Sequence, residues 1–100
     1  MTKQAASDGI GFADLARLKD RDIQVVLRAV DHRSLVMALC GATDDVYERL
    51  LSNMSVRVRD SLAAEVTLGD FSARKIADVH MAIARQAKHL ADSGKISLPE

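Results

Sequence analysis

The chain has 100 residues, of which 48 % are hydrophobic and 28 % charged, with 14 basic residues balancing 14 acidic ones. That length sets a single domain with a modest core, and that composition belongs to a folding chain rather than a disordered one. Zero formal net charge argues against nucleic-acid binding by bulk electrostatics and against attraction to an acidic membrane surface, and a single cysteine excludes an internal disulfide.

Residues 1–11 are polar and small apart from Ile10, and are expected to form a flexible leader without the apolar stretch of a signal peptide. Residues 12–98 read as one helical domain. Phe12, Leu15 and Leu18 give a short apolar face, enough for a helical turn or two. Asp20 or Asp22 begins the next helix, in which Ile23, Val26, Leu27 and Val30 follow the i, i+3, i+4, i+7 rule. Asp31 breaks that pattern and caps a third helix, with Leu35, Ala38 and Leu39 facing inward and Gly41 ending it.

Thr43 is a candidate N-cap, with Asp44 and Asp45 in the first turn, where negative charge suits the helix dipole. Val46, Leu50, Leu51 and Met54 continue the apolar stripe. Asn53 is suited to the left-handed conformation that ends a helix, and Ser55 to capping the next one. There Val58, Leu62 and Val66 recur every fourth residue on one expected core face, while Arg57, Asp60, Ala64 and Thr67 fall elsewhere. Gly69 stops this helix. Ser72 caps a long last helix, with Phe71 in place for a hydrophobic staple and Ile76, Val79, Ile83, Ala87 and Leu90 on one face. Gly94 closes it, and Ile96 and Leu98 are expected to fold back on the bundle. The reading is all-α: a compact bundle of about six helices, the last one long, without a convincing strand.

Residues that could carry chemistry have simpler roles. Cys40 beside Gly41 would need a base and an oxyanion site to act as a nucleophile; a small half-buried residue is the plainer reading. His32, His80 and His89 lack metal-ligand spacing. Asp44, Asp45 and Glu48 are explained by a helix start rather than by a split carboxylate pair. Gly9-Ile10-Gly11 follows no strand and is no phosphate loop. Met37, Met54 and Met81 are expected as core filler. No enzyme, cofactor or metal reading follows, and with no run approaching a membrane span the chain is expected in the cytoplasm.

Several runs are similar to the C-terminal domain of the flagellar motor switch protein FliG family. They are Phe12-Ala13-Asp14-Leu15, residues 20–31, Ala38-Leu39-Cys40-Gly41-Ala42, Ser52-Asn53-Met54-Ser55-Val56-Arg57 and Leu90-Ala91-Asp92-Ser93-Gly94-Lys95-Ile96. The resemblance runs from Phe12 to Leu98 in one register, apart from a one-residue deletion near Gly69. It implies a six-helix subdomain at the rotor rim, possessing a helix of alternating charges that meets the cytoplasmic loop of the stator and passes torque to the rotor.

Carried over residue by residue, that charge set is thinned. Arg57 matches a family arginine. A family acidic pair falls on Ala64 and Glu65, a family lysine on Cys40, and a family arginine near Ser72, where Arg74 and Lys75 are close by. The family's glycine-proline reads Gly69-Asp70 here, and its Met-Phe-x-Phe hinge reads Gly9-Ile10-Gly11-Phe12. The resemblance therefore implies partner-binding roles for Arg57, Arg59, Asp60, Glu65, Arg74 and Lys75. The domains by which the family joins the membrane ring and the other switch proteins have no counterpart here, so the chain reads as a stand-alone relative. It would act as a torque-type contact domain or as a regulator of the full rotor protein.

Overall fold

A computed structural model describes residues 10–99. A 3₁₀ helix, Phe12–Arg17, is followed by five α-helices: α1 (Asp20–Ala29), α2 (His32–Cys40), α3 (Asp44–Leu51), α4 (Val56–Leu68) and α5 (Ala73–Asp92). The described residues hold no strand. The larger part of the expected leader, 1–9, lies outside them; Ile10 packs on the core, and the Gly11 amide donates to the carboxylate of Asp14 at the start of the 3₁₀ helix.

The caps follow the local chemistry. The Asp31 carboxylate accepts the Ser34 amide at 3.1 Å, the Ser55 hydroxyl accepts the Val58 amide at 3.3 Å, and the Ser72 hydroxyl accepts the Lys75 amide at 3.1 Å. Thr43 occupies the cap position of α3, but its hydroxyl turns to the Asp45 carboxylate instead. Asn53 stays at negative φ. Helix α3 ends one residue earlier, at Leu51–Ser52, and the Asn53 amide group donates to the Arg49 carbonyl at 3.0 Å while its oxygen accepts from Gln24 at 3.1 Å. A side chain with two such partners closes the corner without the strain of a left-handed backbone.

Among the glycines expected to end helices, Gly94 alone takes the left-handed conformation, at φ 78°. The Lys95 amide reaches the Leu90 carbonyl and the Gly94 amide reaches Ala91, the paired bonds of a Schellman ending. Gly41 and Gly69 are there for closeness. A Cβ on Gly41 would sit 2.3 Å from Cγ2 of Ile76, and one on Gly69 would sit 2.6 Å from Sγ of Cys40. The ends of α2 and α4 thus press together beside the start of α5.

Helix α5 is the spine: α1, α2 and the 3₁₀ helix pack along it, while α4 rests chiefly on α2. The buried core joins Phe12, Leu15 and Leu18 to Ile23 and Val26, then to Leu35, Leu39, Val46, Leu50 and Leu62, and to Val79, Ile83, Ala87 and Leu90 of α5. His80 completes one seam, its ring stacked on Phe12 with centroids 3.9 Å apart while Nε2 donates to the Ala38 carbonyl at 2.9 Å. The tail folds back, burying Ile96 and packing Leu98 on the core.

Two apolar residues expected inside are not there. Val58 is 44 % exposed and Met81 57 % exposed. Val58 borders an open groove of about 330 Å³ between α1 and α4, above Leu27, Leu35 and Leu62. Met81 borders another, beside Ile10 and Phe12. The stripe of α4 is wider than the neighbour that covers it, whereas Met81 stands about 160° around α5 from the stripe of Val79, Ile83 and Leu90.

Candidate interaction surface

Helix α4 is the least buried element of the bundle. Of its 13 residues only Leu62 is fully buried. At 3.6 residues per turn, Arg57, Asp60, Ala64 and Leu68 fall within an arc of about 80° on the side opposite Leu62. All four are exposed, Leu68 at 83 %. Arg59 lies at the flank and is half-buried.

The charges of α4 run against its dipole. Ser55 starts the helix, yet its first turn holds Arg57 and no acid, and the acidic Glu65 sits near the other end, where no base is present in the last turn. Helix α5 repeats the pattern: Arg74 and Lys75 are exposed in a first turn free of acid. A charge at the favourable helix end is worth about 0.3–1 kcal/mol, so these placements oppose stability. Among the described residues no side-chain ion pair engages Arg57, Arg59, Asp60, Arg74 or Lys75.

Glu65 differs. Its Oε2 accepts a hydrogen bond from Nε2 of His32 at 2.8 Å, linking α4 to the first residue of α2 across 33 positions. Nothing in the local sequence signals this pairing. Arg33, also unmarked by the sequence, lies with Cζ 5.9 Å from the ring centroid of Phe71, in the short connection leading to Arg74 and Lys75.

The positions where charge is thinned have structural occupations. Ala64 is exposed and presents a methyl where the resemblance implies a carboxylate. Cys40 is half-buried, with Sγ 3.7 Å from the Val66 carbonyl, and burial pushes its thiol above the ordinary value, opposite to a nucleophile's need. Ser72 spends its hydroxyl on the cap of α5. Among the described residues no three His, Cys, Asp or Glu side chains gather as a metal site would require, and no helix is long and apolar enough to cross a membrane.

The FliG C-terminal domain family model matches residues 3–98. The chain belongs to the FliG C-terminal domain family. FliG of Thermotoga maritima is 36 % identical over 86 residues, an alignment covering 85 % of this chain and 26 % of that protein. FliG of Vibrio cholerae is 38 % identical over 93 residues, covering 87 % and 25 %. The solved structures agree. A FliG crystal structure from H. pylori superposes with a TM-score of 0.83 at 26 % identity, covering 88 % of this chain and 39 % of that one. Full-length FliG from Aquifex aeolicus gives 0.81 at 32 % identity, covering 88 % and 28 %. The chain therefore spans about a quarter of the length of the curated FliG relatives it matches. The six-helix all-α architecture implied by the resemblance is the one present.

Proposed function

We propose that this FliG-type domain is a non-enzymatic contact module of the flagellar rotor, acting in the cytoplasm at the face of the basal body. It would engage the stator's cytoplasmic loop, or a neighbouring rotor protein, through Arg57, Arg59, Asp60, Glu65, Arg74 and Lys75. One observation carries this reading: the exposed charges of Arg57 and Glu65 in α4 and of Arg74 and Lys75 in α5 stand toward the wrong ends of two successive helices, and all but Glu65 have no ionic partner within the described residues. Such charges cost folding stability and do not support the bundle, so their use lies outside it. Exposed opposite charges give a contact that is steered over a distance and released quickly, as a stepping motor needs. Reversing Arg57 and Glu65 together (Arg57→Glu, Glu65→Lys) should abolish both pull-down of the stator loop and swimming. Unchanged pull-down and swimming would falsify stator binding by this surface.

A regulatory reading has its own support: Ala64, Cys40 and Ser72 stand where the family carries charge, so this surface grips a stator more weakly than a full set would. A domain of this kind would modulate or compete with a complete rotor protein, or serve as an adaptor outside motility. Deleting its gene should then change motor assembly, speed or switching while rotation persists; complete loss of rotation favours the contact-module role.

A further inference from the structure

Glu65 is the remaining carboxylate of the expected acidic pair, and it is the one candidate contact residue held by another side chain. His32 stands at the first position of α2, with Nε2 2.8 Å from Oε2 of Glu65. The His32 side chain is 61 % and the Glu65 side chain 44 % exposed, so a partner can reach the pair. Oε1 has no partner among the described residues. His32 also borders the groove between α1 and α4, where Arg28 brings the one side chain of fixed charge to the lining. Its neighbours are otherwise committed: the Asp31 carboxylate is bound by Ser34, and the Arg33 guanidinium lies toward Phe71.

We infer that His32 is a positioning residue: it fixes the Glu65 carboxylate through Oε2 and leaves Oε1 to receive a cationic group, lysine or arginine, of the partner. This rests on the reading of α4 as a contact surface and adds a residue that reading does not contain. A free glutamate on an exposed helix samples several rotamers, and a partner must freeze one of them; a glutamate already tied at one oxygen has met that cost before the encounter. The hydrogen bond spans two helices, so it also sets the side of α4 from which a cation can approach.

Two measurements on the full chain test it. The first needs no partner: in proton NMR, the His32 ring should show a nuclear Overhauser contact to the Glu65 γ-methylene, and its absence overturns the inference. The second is calorimetric titration with a synthetic peptide of the host's stator cytoplasmic loop. His32→Ala should weaken binding about three- to tenfold. His32→Gln, which keeps an N–H at similar reach, should stay within about twofold of the parent. In a Glu65→Gln background, His32→Ala should bring no further loss. His32→Ala binding like the parent, or losing as much when Glu65 is already replaced, overturns the inference. Should the parent not bind the loop at all, stator contact fails separately, and the Overhauser contact alone decides whether His32 holds Glu65. Melting temperatures of the variants should match the parent's, because both side chains are exposed.

Discussion

The amide of Ser97 donates to the carboxylate of Asp22 at 3.2 Å, across 75 positions of sequence. Asp22 is the one buried charged residue among those described, and this bond pins the end of the domain to the first turn of α1. Asp22→Ala should release the tail and expose Ile96. The loss combines a hydrogen bond to a charged group with part of an apolar side chain, about 2–4 kcal/mol together. Urea unfolding checks the size, and amide exchange at 96–98 checks the place.

Gly41→Ala puts a methyl into the contact between α2 and α5. Its Cβ would lie 2.3 Å from Cγ2 of Ile76, a methyl on a β-branched side chain that is stiff at χ1 inside a helix. The expected cost is about 1–3 kcal/mol. Ile76→Ala removes the clashing carbon, so the double variant should be less damaged than the sum of the two singles. Strict additivity would show that the helices simply move apart.

Arg49 joins α3 to the chain before α1. Its Nη2 donates to the Leu18 carbonyl at 2.6 Å, Nε to the Ala16 carbonyl at 3.3 Å, and Nη1 pairs with Asp20. Lysine lacks the planar fork needed to serve all three. Arg49→Lys should therefore cost nearly as much as Arg49→Met, about 1–3 kcal/mol by denaturant unfolding.

Acid should weaken the fold through three exposed aspartates. The bond from Arg49, then that from Asn53, holds the Asp20 carboxyl below the ordinary 3.8; Ser34 does the same for Asp31, and Thr43 for Asp45. A carboxyl lowered in the fold lets the unfolded chain take up the proton first. The stability each gives is complete above 3.8 and lost as pH falls through the lower folded value. Unfolding free energy followed from pH 6 to pH 2 should fall at the acid end. Asp20→Asn should be less stable at neutral pH and show a shallower acid decline.

Lys75→Glu separates folding from function. Its amide already binds the Ser72 hydroxyl, so the substitution completes a capping box and places the favoured charge in the first turn of α5. Stability should rise by about 0.3–1 kcal/mol while binding to the stator loop weakens. A variant that is both more stable and equally tight-binding would remove Lys75 from the contact surface.

The sequence alone determined the elements, because their signals are short-range. Asp31, Ser55 and Ser72 cap helices through amides three residues away, and the apolar stripes of α2, α3 and α5 lie where their period places them. The family's motifs were legible for the same reason. Tertiary structure decided what covers each stripe and what each polar side chain meets. Val58 belongs to an apolar face by period but stays exposed, because periodicity marks a face without providing the neighbour that buries it; Met81, expected inside by residue type alone, stands off the apolar stripe of its helix. Asn53 ends its helix through Gln24 and Arg49 rather than through its own backbone, and Gly41 is small because Ile76 arrives from 35 positions away. His32 meets Glu65 only because α2 and α4 pack side by side. A hydrogen bond between residues 33 apart is set by the angle at which helices cross, and no local pattern of residues encodes that angle.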